Sequence, residues 1–495
     1  MIIGPDGLDM RKRFDAQIGL GQTPIEKVSI PTKSRDELPP VLAGLQWIFA
    51  TPEINEEVFA LLEEQVVGEK KDTGRPGMDL WHILVLGVVR LALGCDYDRL
   101  EHTARYDMLV RAIMGLPDFG GGEQFHHKTI SDNVCHVDEA LLEKINEIVV
   151  KHGRAVLKKN GAERLEVKVD SYVLESNVHY PTDCNLLWDA ARKCIELLDN
   201  MHESLGLGGW RKAKYWKSQV KKSMRACEKL ASSGGANKAE RVEKSAKDYV
   251  ELTGRLEEKV REDIEGLKVR ALSLPQLLTL ERIGFFHEML VKHIDLVERR
   301  LVRKEIIPHE EKVFSIFELH TELIKKGKIR PPVEFGHRVL LSTEQHGLII
   351  DYKVMEGGSE PGEILPLLER LNKRFGAGSI ASLSTDKGFA SEENRKQAEE
   401  LVDEVVMPKK GRRNAAERER EGTRRWKKIK NRHSTIESDI NSLEHHGLDR
   451  CPDKGLSGYK RYVGLGVLAF NLHRIGAALL SEDVAGKRRR RKKAA

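Results

Sequence analysis

Three acidic residues that lie far apart in the chain have the types and local settings that metal-assisted chemistry requires. Asp170 and Asp386 stand at the ends of two short alternating stretches, and Glu437 lies early in a late helical segment. Carboxylate oxygens that leave coordination positions open suit Mg²⁺ or Mn²⁺. Two such ions about 3.5–4 Å apart can activate an attacking oxygen and stabilise the leaving oxygen of a phosphodiester. The three acids therefore form a candidate two-metal site.

Each acid also has an ordinary interpretation. Asp386 belongs to Asp-Lys-Gly, a good turn sequence, and Glu437, taken alone, is compatible with a solvated position on its helix. The chain holds 77 acidic residues, so three of them on suggestive elements do not by themselves establish a site. Both interpretations stay open on spacing alone.

A strand must position the first acid. In the stretch 165–170, Leu-Glu-Val-Lys-Val-Asp, apolar and polar residues alternate with the period of two that is typical of a strand. The strand is predicted to continue toward Val173, and residues 177–180 predict a second short extended piece before Pro181. Asp170 then faces away from the apolar side of the sheet.

The elements around the other two acids predict an α/β domain. Strand ends of such sheets are common ligand sites, so acids from two strands and one helix can converge there. The pattern predicts a β-hairpin over 333–341 and 346–355, helices over 363–375, 392–401, 434–446 and 462–480, and strands ending at Asp386 and over 402–407, with the basic stretch 409–432 as a loop.

Two other parts of the chain have a helical pattern. Residues 39–153 predict several helices, including one that begins at Pro52, an apolar one over 80–93 and an amphipathic one over 97–114. Residues 129–151 are compatible with a helix-turn-helix reader of DNA or with a plain helical hairpin. A charged helical stretch from about Trp188 to Phe317 interrupts the α/β pattern and predicts an insertion.

Composition indicates a soluble protein of a reducing compartment. Charged residues make up 32% of 495, aromatic residues only 6%, and the six cysteines include no CxxC pair. The N-terminus lacks the apolar core of a signal peptide. The apolar run Trp81–Leu93 is shorter than the ~20 residues that a membrane span needs. We expect a cytoplasmic protein that spans no membrane.

Basic charge is concentrated in three segments. Residues 409–432 carry +9, residues 210–229 carry +7 and residues 487–493 carry +7, so the rest of a chain with net charge +6 carries −17. Such segregation is typical of proteins that bind a polyanion such as nucleic acid. Solvated helix faces and a disordered tail remain the alternative explanation.

Several stretches resemble a known family. VDSYVLESNVHYPTDCNLL, LSTDKGFASEENR and HSTIESDINSLEHHGLDRCPDKG resemble, in the correct order, the three signature regions of DDE insertion-sequence transposases with an RNase-H-like catalytic core. YVGLGVLAFNLHRIG resembles the final helix of that family, and GRPGMDLWHILVLGVVRLAL its helical N-terminal region. The ISNCY-type branch, which has a helical insertion after the first acid, is the most similar, over most of residues 70–480.

The resemblance implies an α/β fold, with an RNase-H-like mixed sheet flanked by helices, an all-helical N-terminal domain and a large helical insertion in the catalytic core. The expected segments are a flexible N-terminal segment (1–38), a helical and DNA-binding domain (39–153), a catalytic domain (164–187 and 318–480), the insertion (188–317) and a basic tail (481–495).

The same resemblance implies an activity. Asp170, Asp386 and Glu437 match the three DDE acids, which would be catalytic and would bind Mg²⁺ or Mn²⁺, with two ions expected. The chain would bind terminal inverted repeats and target DNA as a homodimer or larger assembly, in the cytoplasm of a prokaryote and close to the nucleoid. An RNase-H-like nuclease without strand transfer and a catalytically silent DNA-binding protein remain as alternatives.

The residues around the third acid depart from the family pattern. Related transposases often show Tyr-x2-Arg-x3-Glu-x6-Lys, where this chain has Lys430, His433, Glu437 and Glu444, so the DNA contact of the last position is in doubt. The expected DNA-binding residues are Lys409, Lys410, Arg412, Arg413, Arg424, Arg425, Lys427, Lys428, Arg432 and His433, together with Trp210, Arg211, Lys214, Trp216 and Lys217 of the insertion. The aromatic residues of this second group could instead anchor the insertion.

Overall fold

The computed structural model describes residues 12–14, 21–67, 77–117, 125–157, 164–325, 332–409 and 411–494, with side chains described as far as residue 485. The chain forms two compact units. Unit 1 comprises Met1–Asn177 and Ile324–Ala495, and unit 2 comprises Val178–Leu323.

A mixed sheet forms the centre of unit 1. Strand β1 is antiparallel to β3 and parallel to β5, β5 is parallel to β6, and the described strands follow the order β2-β3-β1-β5-β6, with β4 paired to β3 and β7 to β1. The strands are β1 (Leu165–Ser176), β2 (Glu322–Lys325), β3 (Val333–Thr343), β4 (Ile349–Val354), β5 (Ile380–Thr385), β6 (Glu404–Val406) and β7 (Arg450–Cys451).

Helices before the sheet cover one of its faces. Their apolar residues share one core with Tyr172 and Leu174 of β1. These helices are α1 (Leu38–Ala50), α2 (Pro52–Leu62), α3 (Leu80–Ala92), α4 (Tyr97–Tyr106), α5 (Met108–Ile113), α6 (His127–Val134) and α7 (Glu139–Leu157).

Unit 2 is helical and has a core of its own. It contains α8 (Asp183–Ser204), α9 (Ala213–Ser232), α10 (Lys238–Lys268) and α11 (Leu274–Val297). A capping box at Thr182 begins α8, because its hydroxyl accepts from the backbone of Asn185 while the Asn185 side chain accepts from the backbone of Thr182. The first helix thus begins five residues before the predicted Trp188.

The remaining helices belong to unit 1. They are α12 (Ile364–Phe375), α13 (Glu392–Leu401), α14 (Ala415–Gly422), α15 (Arg424–His433), α16 (Thr435–Leu443) and α17 (Gly455–Ala494). Helices α12 and α13 pack on the face of the sheet that carries Val167 and Val169. Helix α17 packs on α1, where a Cβ on Gly476 would lie 1.8 Å from the Pro40 carbonyl oxygen.

Several local predictions differ from the structure. Residues 177–180 contain no strand, because β1 ends at Ser176. The basic stretch 409–432 is largely helical rather than a loop, since Asn414 and Thr423 cap α14 and α15. The basic tail, for which disorder was one interpretation, has a helical backbone and continues α17 as far as Ala494. The N-terminal segment, as far as it is described, has buried Ile25, Val28 and Ile30 and is not a flexible lead-in.

One helical stretch has the length and apolar character of a membrane span. It runs over Gly455–Ala485 of α17, and 67% of its most apolar window is buried inside the protein. Such burial is typical of a core helix in a globular protein, and the packing of α17 on α1, α3 and α7 agrees with it.

Candidate functional site

Sheet register places the first two acids side by side. Strands β1 and β5 are parallel neighbours, and Val169 is paired with Thr385. Asp170 and Asp386 are the next residues of these two chains, so their backbones are roughly 5 Å apart, the usual spacing of adjacent strands. Two residues from distant parts of the sequence thus meet at one point of the sheet.

Helix α16 brings the third acid to the same point. Its residues Ile436 and Ile440 are buried in the core that contains Tyr172 of β1. The Nζ of Lys168 donates a hydrogen bond of 2.7 Å to Thr435 Oγ1 at the first residue of the helix. Since Glu437 follows in the first turn of α16, the helix begins over the face of β1 that carries Lys168 and Asp170.

A fourth acid, Glu360, belongs to this group. It lies in the 3₁₀ turn Glu360–Glu363 between β4 and α12, and its Oε1 accepts a 2.7 Å hydrogen bond from Ser171 Oγ. A Cβ on Gly388 would lie 2.5 Å from Glu360 Oε2, so this carboxylate lies close to the turn after Asp386 and would have to shift if Gly388 carried a side chain. Glu360 was not among the residues predicted from the sequence, because its one local signal is its place at the start of a helix after the hairpin.

The four acids, which we name the acid cluster, interact electrostatically. Asp170 is largely buried, and burial raises the pKa of its carboxyl to about 6. The backbone N–H of Ser171, 2.8 Å from Oδ1, lowers this pKa, whereas the charges of Asp386, Glu437 and Glu360 raise it further. The acid cluster therefore carries negative charge that the surrounding side chains do not fully offset.

Such a cluster fits a divalent cation. The donors are carboxylate oxygens, which Mg²⁺ and Mn²⁺ prefer, and a cation among them would remove the repulsion that raises the pKa of Asp170. Asp386 and Glu437 are exposed to solvent, so they could bind a cation that also keeps positions open for a substrate. Asp170, Asp386, Glu437 and Glu360 are the residues that would hold it.

His433 supports the turn that carries Asp386. Its Nδ1 lies 3.2 Å from Ser384 Oγ, and burial lowers the pKa of its imidazole, while the charge of Asp386 raises it. This geometry does not favour the prediction that His433 binds DNA, because the ring is half-buried and its Nδ1 already contacts Ser384.

The predicted basic residues before α16 divide into two sets. In the first set each cation has an acidic partner: Lys409 with Glu417 at 2.8 Å, Arg413 with Glu421, Arg425 with Glu404 at 2.5 Å and Arg432 with Glu166. In the second set, within the described chain, the side chains are exposed and form no ion pair: Arg412, Arg424, Lys427 and Lys428. Lys410 lies outside the described residues. The second set is the one free to meet a polyanion.

The aromatic residues of unit 2 differ in exposure. Trp210 is 2% exposed, its Nε1 donates to the Asp263 carboxylate, and Lys259 Nζ lies 4.6 Å from its ring centre. The prediction that Trp210 stacks on bases is therefore wrong, because its ring is part of the helical core. Trp216 is half-buried, Lys217 lies 3.8 Å from Glu196, and Arg211 and Lys214 are exposed.

A second group of possible metal ligands lies among the N-terminal helices. Ligand atoms of Glu101, His126 and His127 all lie within 4.8 Å of one another. Their present hydrogen bonds explain this proximity, because Glu101 accepts from the backbone N–H of His127 at 2.7 Å and His126 Nδ1 accepts from the backbone N–H of Lys128. These contacts cap the start of α6.

Comparisons with known proteins add no assignment. No model of a known protein family, no curated protein and no solved structure matches this chain. Any functional argument must therefore come from the residues and their arrangement.

Proposed function

We propose that this chain is a DNA transposase of the DDE insertion-sequence class, with an RNase-H-like catalytic core. One observation carries the proposal: Asp170, Asp386 and Glu437 come from the three stretches that resemble the DDE signature regions, and they meet at one point of a mixed sheet. The antiparallel strands beside β1 and the parallel strands β5 and β6 are compatible with that core.

The acids would bind metal ions, and the exposed cations would bind DNA. The acid cluster would hold one or two Mg²⁺ or Mn²⁺ ions, which stabilise the attacking and leaving oxygens of an in-line displacement at phosphorus. Arg412, Arg424, Lys427 and Lys428 would bind backbone phosphates, since basic side chains supply the sequence-independent part of DNA affinity. His433 would keep Ser384, and with it the end of β5, in place.

The reaction would proceed in two displacements. First, water attacks a phosphodiester at the end of the element, a P–O bond breaks and a 3′-OH is released. This 3′-OH then attacks a phosphodiester of the target DNA, so that a new P–O bond forms as the target bond breaks. The DNA substrates would be terminal inverted repeats and target DNA, bound by a homodimer or larger assembly in the cytoplasm.

The test uses labelled duplexes copied from both sides of the gene that encodes this chain. Wild type should nick them at defined positions with Mg²⁺ or Mn²⁺ and not with EDTA, and Asp170→Asn and Glu437→Gln should each abolish nicking. Full cleavage by Asp170→Asn in Mg²⁺ would refute the proposal. Nicking without joined product would favour a nuclease, and specific binding without nicking would favour a silent DNA-binding protein.

A further inference from the structure

A cleft of about 840 Å³ opens directly beside the acid cluster. All three elements that carry the predicted acids also line this cleft, in each case through the residue two positions earlier: Lys168 before Asp170, Ser384 before Asp386 and Thr435 before Glu437. Residues two apart on a strand face the same side, about 6.6 Å apart. On the strand side the cleft thus continues the surface of the acid cluster by one step, through Lys168 and Ser384, while Thr435 brings the start of α16 to the cleft wall.

The cations of the cleft differ in their partners. Arg164, Arg432 and Arg474 each pair with a carboxylate, those of Asp403, Glu166 and Asp439. Lys168 has no such partner within the described chain, although it is only 8% exposed. Its one hydrogen bond goes to the neutral hydroxyl of Thr435. The ammonium group therefore keeps two donors for another acceptor.

A buried lysine without a carboxylate loses solvation that no ion pair replaces. Burial lowers the pKa of Lys168, and the charges of Asp439, Glu344 and Glu166 raise it. The cleft wall has a formal charge of +2, because it contains four cations and two acids: Arg164, Lys168, Arg432 and Arg474 with Glu166 and Asp439. The neighbouring acid cluster has the opposite sign. An anion in the cleft would give Lys168 the partner that the fold does not supply.

We propose that Lys168 binds the DNA phosphate adjacent to the scissile phosphodiester on the same strand. This inference rests on the proposed function, because it takes the scissile phosphate to lie at the acid cluster. The offset of the cleft from the acids is comparable with the separation of neighbouring phosphates in an extended strand. Among the described cations of the cleft wall, Lys168 alone lacks a carboxylate partner, so we expect it to hold one phosphate group.

The decisive experiment is a scan with single methylphosphonate linkages, each of which removes the charge of one phosphate near the cut. Binding is measured in Ca²⁺, so that affinity is read without cleavage. Wild type should lose roughly 10- to 100-fold in affinity at the phosphate next to the cut, the range for one charge-assisted hydrogen bond. Lys168→Gln should bind more weakly throughout and be insensitive at that position.

Two variants serve as controls. Lys168→Arg keeps the charge and should keep the sensitivity, and Lys151→Gln removes an exposed lysine that pairs with Glu57 and should behave as wild type. The scan on wild type is informative even if Lys168→Gln does not fold. Equal losses at all positions, or unchanged sensitivity in a folded Lys168→Gln, would overturn the proposal.

Outcomes for the cleft and for the catalytic proposal are separable. Position-dependent binding without nicking in Mg²⁺ would leave the phosphate site standing and refute the transposase activity. Nicking in Mg²⁺ with equal affinity losses at all phosphate positions would support the catalytic proposal and overturn the phosphate site at Lys168. Protection of Lys168 from amine-modifying reagents by millimolar inorganic phosphate, with no sensitive DNA position, would assign the cleft to a free anion and overturn the inference.

Discussion

Two groups of ionised side chains in unit 1 are in opposite electrostatic states. Arg90 of α3 and Asp453, before α17, are 2% and 7% exposed, and two hydrogen bonds of 2.6 and 3.1 Å join them. The guanidinium also lies 3.9 Å from the centre of the Tyr97 ring. In the acid cluster, by contrast, the charges of Asp386, Glu437 and Glu360 act on Asp170, and the nearest described cation to Glu360 is Arg338 at 3.5 Å.

This difference separates a structural role from a functional one. Charges that the fold buries together, as in Arg90 and Asp453, need nothing from outside and connect two helical elements. Charges that the fold places together with like sign lower the stability of the folded chain unless a ligand of opposite sign binds. We therefore regard the acid cluster, and not the more deeply buried pair, as the place where a ligand is expected.

The largest effect on stability is expected from breaking the buried ion pair of Arg90 and Asp453. Asp453→Ala leaves the Arg90 guanidinium buried without its carboxylate, which should lower the free energy of unfolding by about 3–5 kcal/mol. Urea denaturation followed by far-UV circular dichroism measures this. Glu56→Ala, which breaks an exposed pair with Arg13, should change it by less than about 1 kcal/mol. Equal losses in the two variants would contradict the distinction.

Replacing Asp170 should raise the free energy of unfolding, whereas replacing Asp453 lowers it. Its pKa is about 6 in the folded chain, raised from the ordinary value of 3.8, so the folded chain loses stability as pH rises through that window, by up to about 3 kcal/mol. Asp170→Asn removes this penalty. In EDTA the variant should therefore be more stable than wild type at pH 7.5, and the difference should vanish at about pH 3, below the ordinary pKa of 3.8.

A buried acid with cationic partners provides the control for that result. Asp351 is 4% exposed and pairs with Arg370 at 2.7 Å and Arg374 at 3.5 Å. Asp351→Asn should destabilise the chain at pH 7.5, where Asp170→Asn stabilises it. Urea denaturation midpoints of both variants are compared at high and low pH. A loss of stability at pH 7.5 in Asp170→Asn as well as in Asp351→Asn would mean that the fold does offset the negative charge of the acid cluster.

The smallest effect is expected from replacing Glu360, and it concerns the Mg²⁺ requirement for nicking. Glu360→Gln keeps an oxygen for Ser171 but removes one negative charge, so it should raise the Mg²⁺ concentration for half-maximal nicking about 10- to 100-fold. Glu363→Gln is the matched control, because Glu363 lies in the same 3₁₀ turn and pairs with Lys353 at 2.8 Å. A similar Mg²⁺ requirement in both variants would exclude Glu360 from cation binding.

Local periodicity was sufficient to predict several elements. Alternation predicted β1 and the hairpin of β3 and β4, both of which the structure confirms, and helix α13 has the predicted bounds. Pro52 begins α2 as expected. These features depend on neighbours in sequence, because backbone conformation and the alternation of faces follow from residues a few positions apart.

Where local signals were weak or conflicting, prediction failed. Helices α14 and α15 have few apolar residues, so their stretch resembled a loop, and only the caps at Asn414 and Thr423 distinguished it. The stretch 97–114 was predicted as one helix, but the Asp107 side chain accepts from the backbone of Leu109 and Val110 and begins α5 separately. Trp210, amid basic residues, was compatible both with base stacking and with anchoring the insertion, and only its burial decided between them.

The sequence by itself determined β1, the hairpin of β3 and β4, most of the helices and the three acids that its signature-like stretches contain. Only the tertiary structure decided that Glu360 joins those acids, that Lys168 is buried with no carboxylate partner in the described chain, and that His433 contacts Ser384. The physical reason is that burial and electrostatic partnership depend on residues from distant parts of the chain. Local patterns specify elements, whereas the register of β1 with β5 and the position of α16 specify which charges meet.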